Sequence, residues 1–395
     1  MSASNLRPRR PPLLSGHPCS TEPVTTDPSP QDLAVGASPA EPTGGEASSD
    51  DSAFFDYGLP ADRIAPEPIE PRDAARLLVD CSPTSGAEGG AIGEIEHRRV
   101  AELVDLIDPG DVLVVNDTRV APARLLLTKP TGGKAEVLLL EPTGVARQWQ
   151  ALVKSGRRIR PGTPLDADGE ILVVVGEELS EGRRLVEVLA DDAMDRVGQV
   201  PLPPYIHHQL EDETRYQTVF ANELGSVAAP TAGLHLTTDL LDQLRNHGVE
   251  VVTIELHVGL GTFRPITAAR ISDHHMHAER YQVSEEAWAT IQAAPRVIAV
   301  GTTVVRTLES VAATGSLAGS TELFINRGFD WQVVDTLLTN FHVPRSSLLV
   351  LVDAFIGSRW RELYQVALDT GYRFLSFGDA MLIDGRPPGA CRHPG

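Results

Sequence analysis

The sequence predicts a mixed α/β fold, in which a small β-barrel domain is inserted into an α/β domain. Helical patterns and short apolar strands alternate before residue 121 and again after residue 204, which is typical of a sheet covered by helices on both faces. Residues 122–203, in contrast, contain short apolar runs separated by turns and no convincing helix. Several short strands at this spacing indicate a small barrel or sandwich.

Both ends of the chain are predicted to lie outside the folded domains. Half of the first 50 residues are Pro, Gly, Ser or Thr, and none is aromatic, so this segment buries too little apolar surface to offset its ordering entropy. We expect order to begin near Phe54. The predicted boundaries are residues 1–53 for a disordered tail, 54–121 and 204–385 for a discontinuous α/β domain, 122–203 for the inserted domain, and 386–395 for a flexible C-terminus.

The first flank ends in a strand that leads into polar residues. Residues 100–107 have helical spacing, and Pro109-Gly110 would end that helix. Residues 112–115 are all apolar, as in a strand buried on both faces. A polar cluster, residues 116–119, follows at once. Because ligands of open α/β sheets bind beyond the carboxyl ends of strands, this cluster is a candidate binding edge.

Strands dominate the inserted segment, and helices return after it. The strands predicted in the insert are residues 125–127, 137–140, 151–153, 171–175 and 185–189. In the second flank, Thr237 caps a helix that ends at Gly248. Ser284 begins a second helix, and a third ends at Gly315. The strands predicted between these helices are residues 251–256 and 296–300.

Composition and cysteine usage exclude several classes of protein. The net charge of −20 argues against nonspecific coating of nucleic acid. Three scattered cysteines do not make a disulfide framework. The longest apolar runs, such as residues 348–352, are far shorter than the roughly 18 residues of a membrane helix, and no apolar segment follows the N-terminal arginines. We therefore expect a cytoplasmic protein.

Residues 119–160 form a cationic stretch within this acidic chain. Nine Lys or Arg residues, opposed only by Glu136 and Glu141, give the stretch a net charge of +7. Such a concentration is typical of a surface that binds a phosphate backbone. A solvated β surface that happens to be rich in Lys and Arg is an equally good interpretation, because strand alternation could divide these charges over two faces.

Nine of the twelve histidines lie between residues 207 and 342. The densest group is His274, His275 and His277, with Glu279 two residues further on. On a strand, His275, His277 and Glu279 would share one face, which suits a metal ion. Alternatively, these imidazoles transfer protons, since they titrate near neutral pH. A purely structural cluster is the third interpretation.

Three predicted strand exits, residues 228–235, 255–263 and 301–303, are rich in Gly, Thr and His. Glycine lets a ligand approach the backbone closely, and a helix N-terminus offers unpaired N–H groups. None of the three fits a dinucleotide-binding or P-loop spacing. Together they predict a pocket. Asn340, His342 and Asp379 would close it, or would instead serve as caps and turns.

Motifs spread over the chain carry a family resemblance. They are NDTRV at 116–120, PAR at 122–124, PLPPYI at 201–206, RYQT at 215–218, APTAGLH at 229–235, LHVG at 256–259, GTF at 261–263, HHMH at 274–277, GTT at 301–303, RTLE at 306–309, LTNFH at 338–342 and GDAMLI at 378–383. In this order they resemble the S-adenosylmethionine:tRNA ribosyltransferase-isomerase family of queuosine biosynthesis. The resemblance runs from about Phe55 to Ile383.

The resemblance implies a reaction, an architecture and two partners. The ribosyl part of S-adenosylmethionine moves to the aminomethyl group of 7-aminomethyl-7-deazaguanine at a tRNA wobble position. It rearranges to the epoxycyclopentane of epoxyqueuosine, while adenine and methionine leave. The family fold is an α/β domain with an inserted β-barrel. We expect a monomeric transferase that needs no cofactor, consumes S-adenosylmethionine as a substrate, binds the modified tRNA and does not bind membranes.

Candidate roles follow from the resemblance together with residue types. The reaction needs a base at C5′, an acid at the purine and a carboxylate near the sulfonium; the candidate catalytic residues are His235, His257, His275, His277, Glu279 and Asp117. The residues expected to bind S-adenosylmethionine or the base are Arg119, Thr231, Gly233, Thr262, Thr303, Arg306, Asn340, His342 and Asp379. Among them, Arg306 is expected to hold the methionine carboxylate. The candidate tRNA-binding residues are Arg124, Lys154, Arg157, Arg158 and Arg160, and no metal site is predicted.

Three other functions stay open at this point. A divergent paralogue would use S-adenosylmethionine on another acceptor. A non-catalytic tRNA-binding protein would bind the modified tRNA and release no adenine. A metal-dependent enzyme built on His274, His275, His277 and Glu279 would retain about one metal ion per chain, because a tight histidine site keeps its metal through purification.

Overall fold

A computed structural model describes residues 48–80, 95–156, 159–206, 210–259 and 265–385. In chain order, the strands of these residues are β1 (Arg76–Asp80), β2 (Ile95–Arg99), β3 (Val112–Asn116), β4 (Thr118–Val120), β5 (Arg124–Thr128), β6 (Lys134–Pro142), β7 (Gln148–Ser155), β8 (Thr163–Ala167), β9 (Glu170–Glu178), β10 (Arg183–Val188), β11 (Gly198–Gln199), β12 (Glu223–Ser226), β13 (Glu250–Leu256), β14 (Glu279–Gln282), β15 (Val297–Val300), β16 (Ala318–Thr321), β17 (Thr336–Asn340) and β18 (Ala380–Asp384). The α-helices are α1 (Ala193–Val197), α2 (Thr238–His247), α3 (Glu285–Ala293), α4 (Thr302–Thr314), α5 (Ser347–Ile356) and α6 (Trp360–Asp369). None of the helices in this part of the chain is long and apolar enough to cross a membrane.

A sheet of nine strands organises the α/β domain within the described residues. Its order is β16-β14-β13-β3-β15-β17-β18-β1-β2. Strands β13, β3, β15 and β17 are parallel neighbours, and β18 runs antiparallel to β17. The four parallel strands therefore end at one edge of the sheet, and β18 begins there. We call this the carboxyl edge; it is marked by the last residues of the four strands, Asn116, Leu256, Val300 and Asn340.

Both faces of the sheet are covered, as the apolar strands predicted. Alternate residues of β3 belong to different cores: Val112 and Val114 to one, Leu113 and Val115 to the other. Helices α3 to α6 pack on the first face, and α2 packs on the second together with a 3-10 helix, Val100–Asp105. Residues 100–107 were predicted as an α-helix, and that prediction is wrong in type.

The helix ends confirm the cap predictions of the second flank. The Thr237 side chain accepts a hydrogen bond from Leu240 N (3.1 Å), and Gly248 closes α2 with φ 95°. Ser284 caps α3 in the same way, by accepting from Ala287 N (3.1 Å). Gly315 ends α4 with φ 71°, in the left-handed region that favours glycine.

The insert forms a closed antiparallel barrel of six strands, in the order β5-β6-β7-β10-β9-β8. The closing contact pairs Thr128 on β5 with Asp166 on β8. This confirms the mixed α/β fold with a β-barrel. Three details were missed: strand β8, in which only Leu165 is buried, the two-residue strand β11 and the five-residue helix α1. Strand β11 and helix α1 are too short to show a period in the sequence, and β8 lacks an apolar pattern. The domain boundaries at residues 122 and 203 stay predictions.

The described chain begins at Ser48, ahead of the expected start of order. The Asp50 carboxylate accepts hydrogen bonds from Ser272 N and Arg270 Nε, both at 2.9 Å. Phe55 is fully buried and stacks on Trp360. These contacts attach the first described residues to the α/β domain. The rest of the predicted tail, residues 1–47, and the predicted C-terminus, 386–395, lie outside the described residues.

Candidate active site

Side chains and loops from neighbouring strands meet at the carboxyl edge. Asn116 Nδ2 donates to Leu256 O (3.0 Å), and Leu256 N donates to Asn116 Oδ1 (3.1 Å). This pair of bonds ties the end of β3 to the end of β13. Gly301 N donates to Leu338 O (2.8 Å), which places the start of α4 beside β17. The edge is therefore a continuous surface built from separate parts of the sequence.

A pocket opens beside the first turn of α4. Its walls include Thr302, Thr303 and Arg306 from that helix and the apolar side chains of Phe324 and Leu351. Thr303 is 7% exposed, and its hydroxyl has no hydrogen-bond partner among the described residues. Buried polar atoms are nearly always paired in folded proteins. The Thr303 hydroxyl is therefore available to a polar group that enters the pocket.

Glu279 and Arg306 form an ion pair next to this pocket. Both side chains are buried. Glu279 Oε1 also accepts from Gly259 N (2.8 Å). Arg306 Nε donates to Leu323 O (3.0 Å), and Nη2 donates to Thr321 O (3.3 Å). Pairing and hydrogen bonds on both sides are what a buried charge pair requires, so both side chains are held in place by the protein itself.

The predicted strand row His275-His277-Glu279 is wrong. Strand β14 begins only at Glu279, and residues 274–278 have no regular secondary structure. Glu279 therefore points into the core, whereas His275 and His277 are exposed. Among the described residues, no group of three or more His, Cys, Asp or Glu side chains is arranged to hold a metal ion.

His235, Thr231 and Asn340 form a buried hydrogen-bonded set. Asn340 Nδ2 donates to His235 Nε2 (3.0 Å), and the Thr231 hydroxyl donates to Asn340 Oδ1 (3.0 Å). Burial is the main reason that the pKa of His235 falls to about 4, and the positive charges of Arg373 and Arg72 add to it. His235 is therefore a neutral acceptor at pH 7. Neighbouring Gly233 has Phe220 packed where a Cβ would lie (2.8 Å).

His342 and Asp379 also face into the protein. Burial lowers the pKa of His342 to about 3, and its Nε2 is hydrogen-bonded to the Thr339 hydroxyl (3.1 Å). The Asp379 carboxylate accepts from Arg76 N (2.9 Å) and Arg373 N (2.8 Å). These bonds give Asp379 the geometry of a turn and cap element, the second of the two interpretations offered for it.

Asp117 and His257 bring two unpaired polar atoms to the ends of adjacent strands. Asp117 follows β3, and one of its carboxylate oxygens is buried without a hydrogen-bond partner among the described residues. Burial raises the pKa of Asp117 to about 6, and the charges of Glu255 and Glu223 raise it further, against hydrogen bonds that lower it. His257 follows β13, and its Nδ1 is likewise buried and unpaired in this part of the chain. Perturbed and unsatisfied groups of this kind concentrate at functional sites.

The remaining predicted residues lie on the surface or outside the described ranges. Arg119, Lys154 and Arg160 are exposed. Arg124 pairs with Glu136 on the outside of the barrel (2.8 Å). The candidates that lie outside the described residues are Thr262, Arg157 and Arg158.

Comparison with known proteins identifies the family. The model of a family described as "Queuosine biosynthesis protein" matches residues 52–383. The chain belongs to this family. A relative from Rubrobacter xylanophilus, named S-adenosylmethionine:tRNA ribosyltransferase-isomerase, is 50% identical over 334 residues, which are 84% of this chain and 97% of the relative.

Two further proteins are similar to this chain. A Desulfitobacterium hafniense protein of the same name is 48% identical over 83% of this chain and 98% of its own length. A solved structure, S-adenosylmethionine tRNA ribosyltransferase from Thermotoga maritima, is 34% identical, covers 85% of this chain and all of its own, and has a TM-score of 0.47. The family model and the relatives from Rubrobacter xylanophilus and Desulfitobacterium hafniense confirm the resemblance found in the motifs.

Several residues of the site escaped the sequence reasoning. Phe324 lines the pocket and packs edge-to-face against His274 (5.1 Å between ring centroids), yet no local pattern marks either contact. Glu309 stood in the RTLE motif without an assigned role; it is fully buried and accepts the N–H groups of residues 332–334 at 2.9–3.0 Å. Asn116 stood in a motif, but its bond to a strand 140 residues away is visible only in the fold.

Proposed function

We propose that this chain transfers and isomerises the ribosyl part of S-adenosylmethionine onto 7-aminomethyl-7-deazaguanine at the tRNA wobble position. The products are epoxyqueuosine-tRNA, adenine and methionine, and S-adenosylmethionine is a consumed substrate rather than a cofactor. One observation carries the proposal: relatives of that name match at about half identity along nearly their whole length. The pocket at the carboxyl edge supports it, because ligands of such sheets bind there.

Asp117 has the properties of the base that this reaction requires. Removal of the C5′ proton beside a sulfonium needs an acceptor whose pKa lies near the working pH. The Asp117 carboxylate meets this need with a pKa of about 6 and an unpaired oxygen. Its negative charge would also attract the sulfonium. To His257, whose Nδ1 is unpaired at the next strand end among the described residues, we assign the donation of a proton to the departing adenine.

His235 and His342 are better suited to positioning than to proton transfer. Both are buried, and burial is the main reason that the pKa of His235 falls to about 4 and that of His342 to about 3, below the usual value of about 6.5. His235 uses its Nε2 lone pair to hold Asn340. We therefore assign to His235 and His342 the task of fixing the amide and hydroxyl groups beside them, which can then present a rigid polar surface to the substrate.

The barrel is the part of the chain proposed to meet tRNA. Lys154 and Arg160 are exposed on it, as phosphate contacts must be. The turn before β10 reaches the α/β domain, where Glu181 Oε2 lies 3.7 Å from His277 Nδ1. The barrel surface is thus continuous with the loop that carries His274 to the pocket wall. A tRNA bound along the barrel would reach the carboxyl edge.

Mass spectrometry of tRNA nucleosides tests the proposal directly. The protein is incubated with S-adenosylmethionine and tRNA that carries the 7-aminomethyl-7-deazaguanine wobble base, and adenine release is measured in parallel. We expect epoxyqueuosine and adenine in equal amounts, and neither with tRNA that carries guanine at that position. Unchanged tRNA with bound protein would favour the non-catalytic alternative. Adenine release without epoxyqueuosine would favour another acceptor.

A further inference from the structure

We propose that the first turn of α4 binds the carboxylate of the methionine part of S-adenosylmethionine. The donors are the Thr303 hydroxyl and the backbone N–H groups of Thr302, Thr303 and Val304. This inference rests on the proposed function, since it names the place of one group of that substrate. It replaces the expectation that Arg306 holds the carboxylate, because the structure assigns that side chain a different task.

The N-terminus of α4 is an uncapped anion site. The helix has 13 residues, and its N-cap is Gly301, which has no side chain to accept from the first turn. The N–H groups of residues 302–304 have no acceptor among the described residues, and Val305 N is the first to bond, to Gly301 O (3.4 Å). Such groups, together with the helix dipole, attract an anion.

Thr303 supplies the second and independent observation. Its side chain is more than nine-tenths buried, its hydroxyl is unpaired, and it lines the pocket. The hydroxyl oxygen lies 3.7 Å from the place that a Cβ on Gly301 would occupy, so it is turned towards the N-terminus of the helix. A threonine hydroxyl in a helix can instead bond to the carbonyl one turn earlier. Thr307 does this: its hydroxyl donates to Thr303 O (3.0 Å). The free hydroxyl of Thr303 is therefore available to a ligand at the helix end.

The positive charge of Arg306 is already compensated by Glu279. Three of its N–H groups donate to Glu279, Thr321 O and Leu323 O. The Glu279 carboxylate compensates the guanidinium charge, so an anion in the pocket would meet a neutral pair. Arg306 instead forms a fixed wall of the pocket. The uncompensated positive end in this part of the site is the first turn of α4.

The chemistry of S-adenosylmethionine leaves one group that fits. Its adenine and ribose are uncharged, its sulfonium and amino groups are cationic, and the carboxylate is its one anion. The walls beside the start of α4 include the apolar side chains of Leu323, Phe324 and Leu351. Low polarity around the site also strengthens the attraction between the helix end and an anion.

The test compares S-adenosylmethionine with its decarboxylated form, which lacks only this group. The measurement is kcat/KM for adenine release at saturating modified tRNA. Thr303→Val, which keeps the shape and removes the hydroxyl, should lower kcat/KM for S-adenosylmethionine by about tenfold, as expected for one charge-assisted hydrogen bond. It should leave the value for the decarboxylated form unchanged. Thr303→Ser, which restores a hydroxyl, should restore the preference of the unmodified protein.

Thr307→Val is the matched control. It removes a buried hydroxyl from the same helix, outside the pocket, and should change kcat/KM for both ligands equally. If Thr303→Val lowers both values equally, the hydroxyl does not serve the carboxylate and the inference is wrong. If the unmodified protein releases adenine from neither ligand, the proposed reaction fails. In that case, equilibrium binding of the two ligands in the presence of tRNA tests the carboxylate site alone. Equal affinities for S-adenosylmethionine and its decarboxylated form would overturn the inference.

Discussion

Replacing Asp117 by Asn should abolish activity and stabilise the fold, and the two effects have one cause. The folded protein raises the pKa of Asp117 from 3.8 to about 6, chiefly by burial. Above pH 6 the carboxylate is ionised in both the folded and the unfolded chain. Because the charge is partly buried in the folded chain, it lowers the free energy of unfolding by a fixed cost. Below about pH 4 both are protonated and the cost disappears. Stability contributed by this group is therefore lost as the pH rises from about 4 to about 6.

The pKa shift sets the size of both effects. About 2 pKa units correspond to about 3 kcal/mol, and solvent screening of this half-buried side chain reduces the expected gain for Asp117→Asn to about 1–2 kcal/mol. The gain should appear at pH 7.5 and vanish at pH 4. If the ionised form is the base, kcat/KM of the unmodified protein should fall about tenfold between pH 7 and pH 5, since about 90% of a group with pKa 6 is protonated at pH 5.

Two assays check this reasoning. Urea denaturation at pH 7.5 and pH 4 gives the stability of both proteins, and adenine release between pH 5 and pH 8 gives the rate profile. Glu255→Gln is the matched control: it removes a neighbouring charge that raises the Asp117 pKa, so the inflection of the profile should move to lower pH. A profile that is flat from pH 5 to pH 7, or an Asn variant no more stable than the unmodified protein, would refute the argument.

Three further changes have definite expected outcomes. Glu279→Gln leaves Arg306 buried without its counter-charge and should lower the free energy of unfolding, measured by urea denaturation, by about 3–5 kcal/mol. The control is Glu102→Gln, in an exposed pair with Arg98, which should lower it by less than about 1 kcal/mol. Asn340→Ala removes the hydrogen bonds to His235 and Thr231 and should cost about 2–3 kcal/mol, with a lower kcat. Alanine at both exposed cations, Lys154 and Arg160, should reduce the salt slope of tRNA affinity by about 2 without changing the affinity for S-adenosylmethionine; an unchanged slope would place tRNA elsewhere.

Local patterns were enough for much of the fold. Residues 112–115 are apolar without interruption, and they form a central strand that is buried on both faces. Thr237 and Gly248 begin and end α2, because capping depends on residues within one turn. Strand β8 was missed because only one of its residues is buried. Strand β14 was placed too early because its start is set by pairing with β16, about 40 residues away.

The candidate site was harder to predict, since residue type does not reveal environment. His235, His275 and His342 look alike in the sequence. In the fold, burial lowers the pKa of His235 to about 4 and that of His342 to about 3, while His275 is exposed. From the sequence alone, Arg306 likewise looks like an unpaired cation. In the fold, Glu279 at the start of β14 forms an ion pair with it. These properties depend on contacts between distant segments, which no local pattern contains.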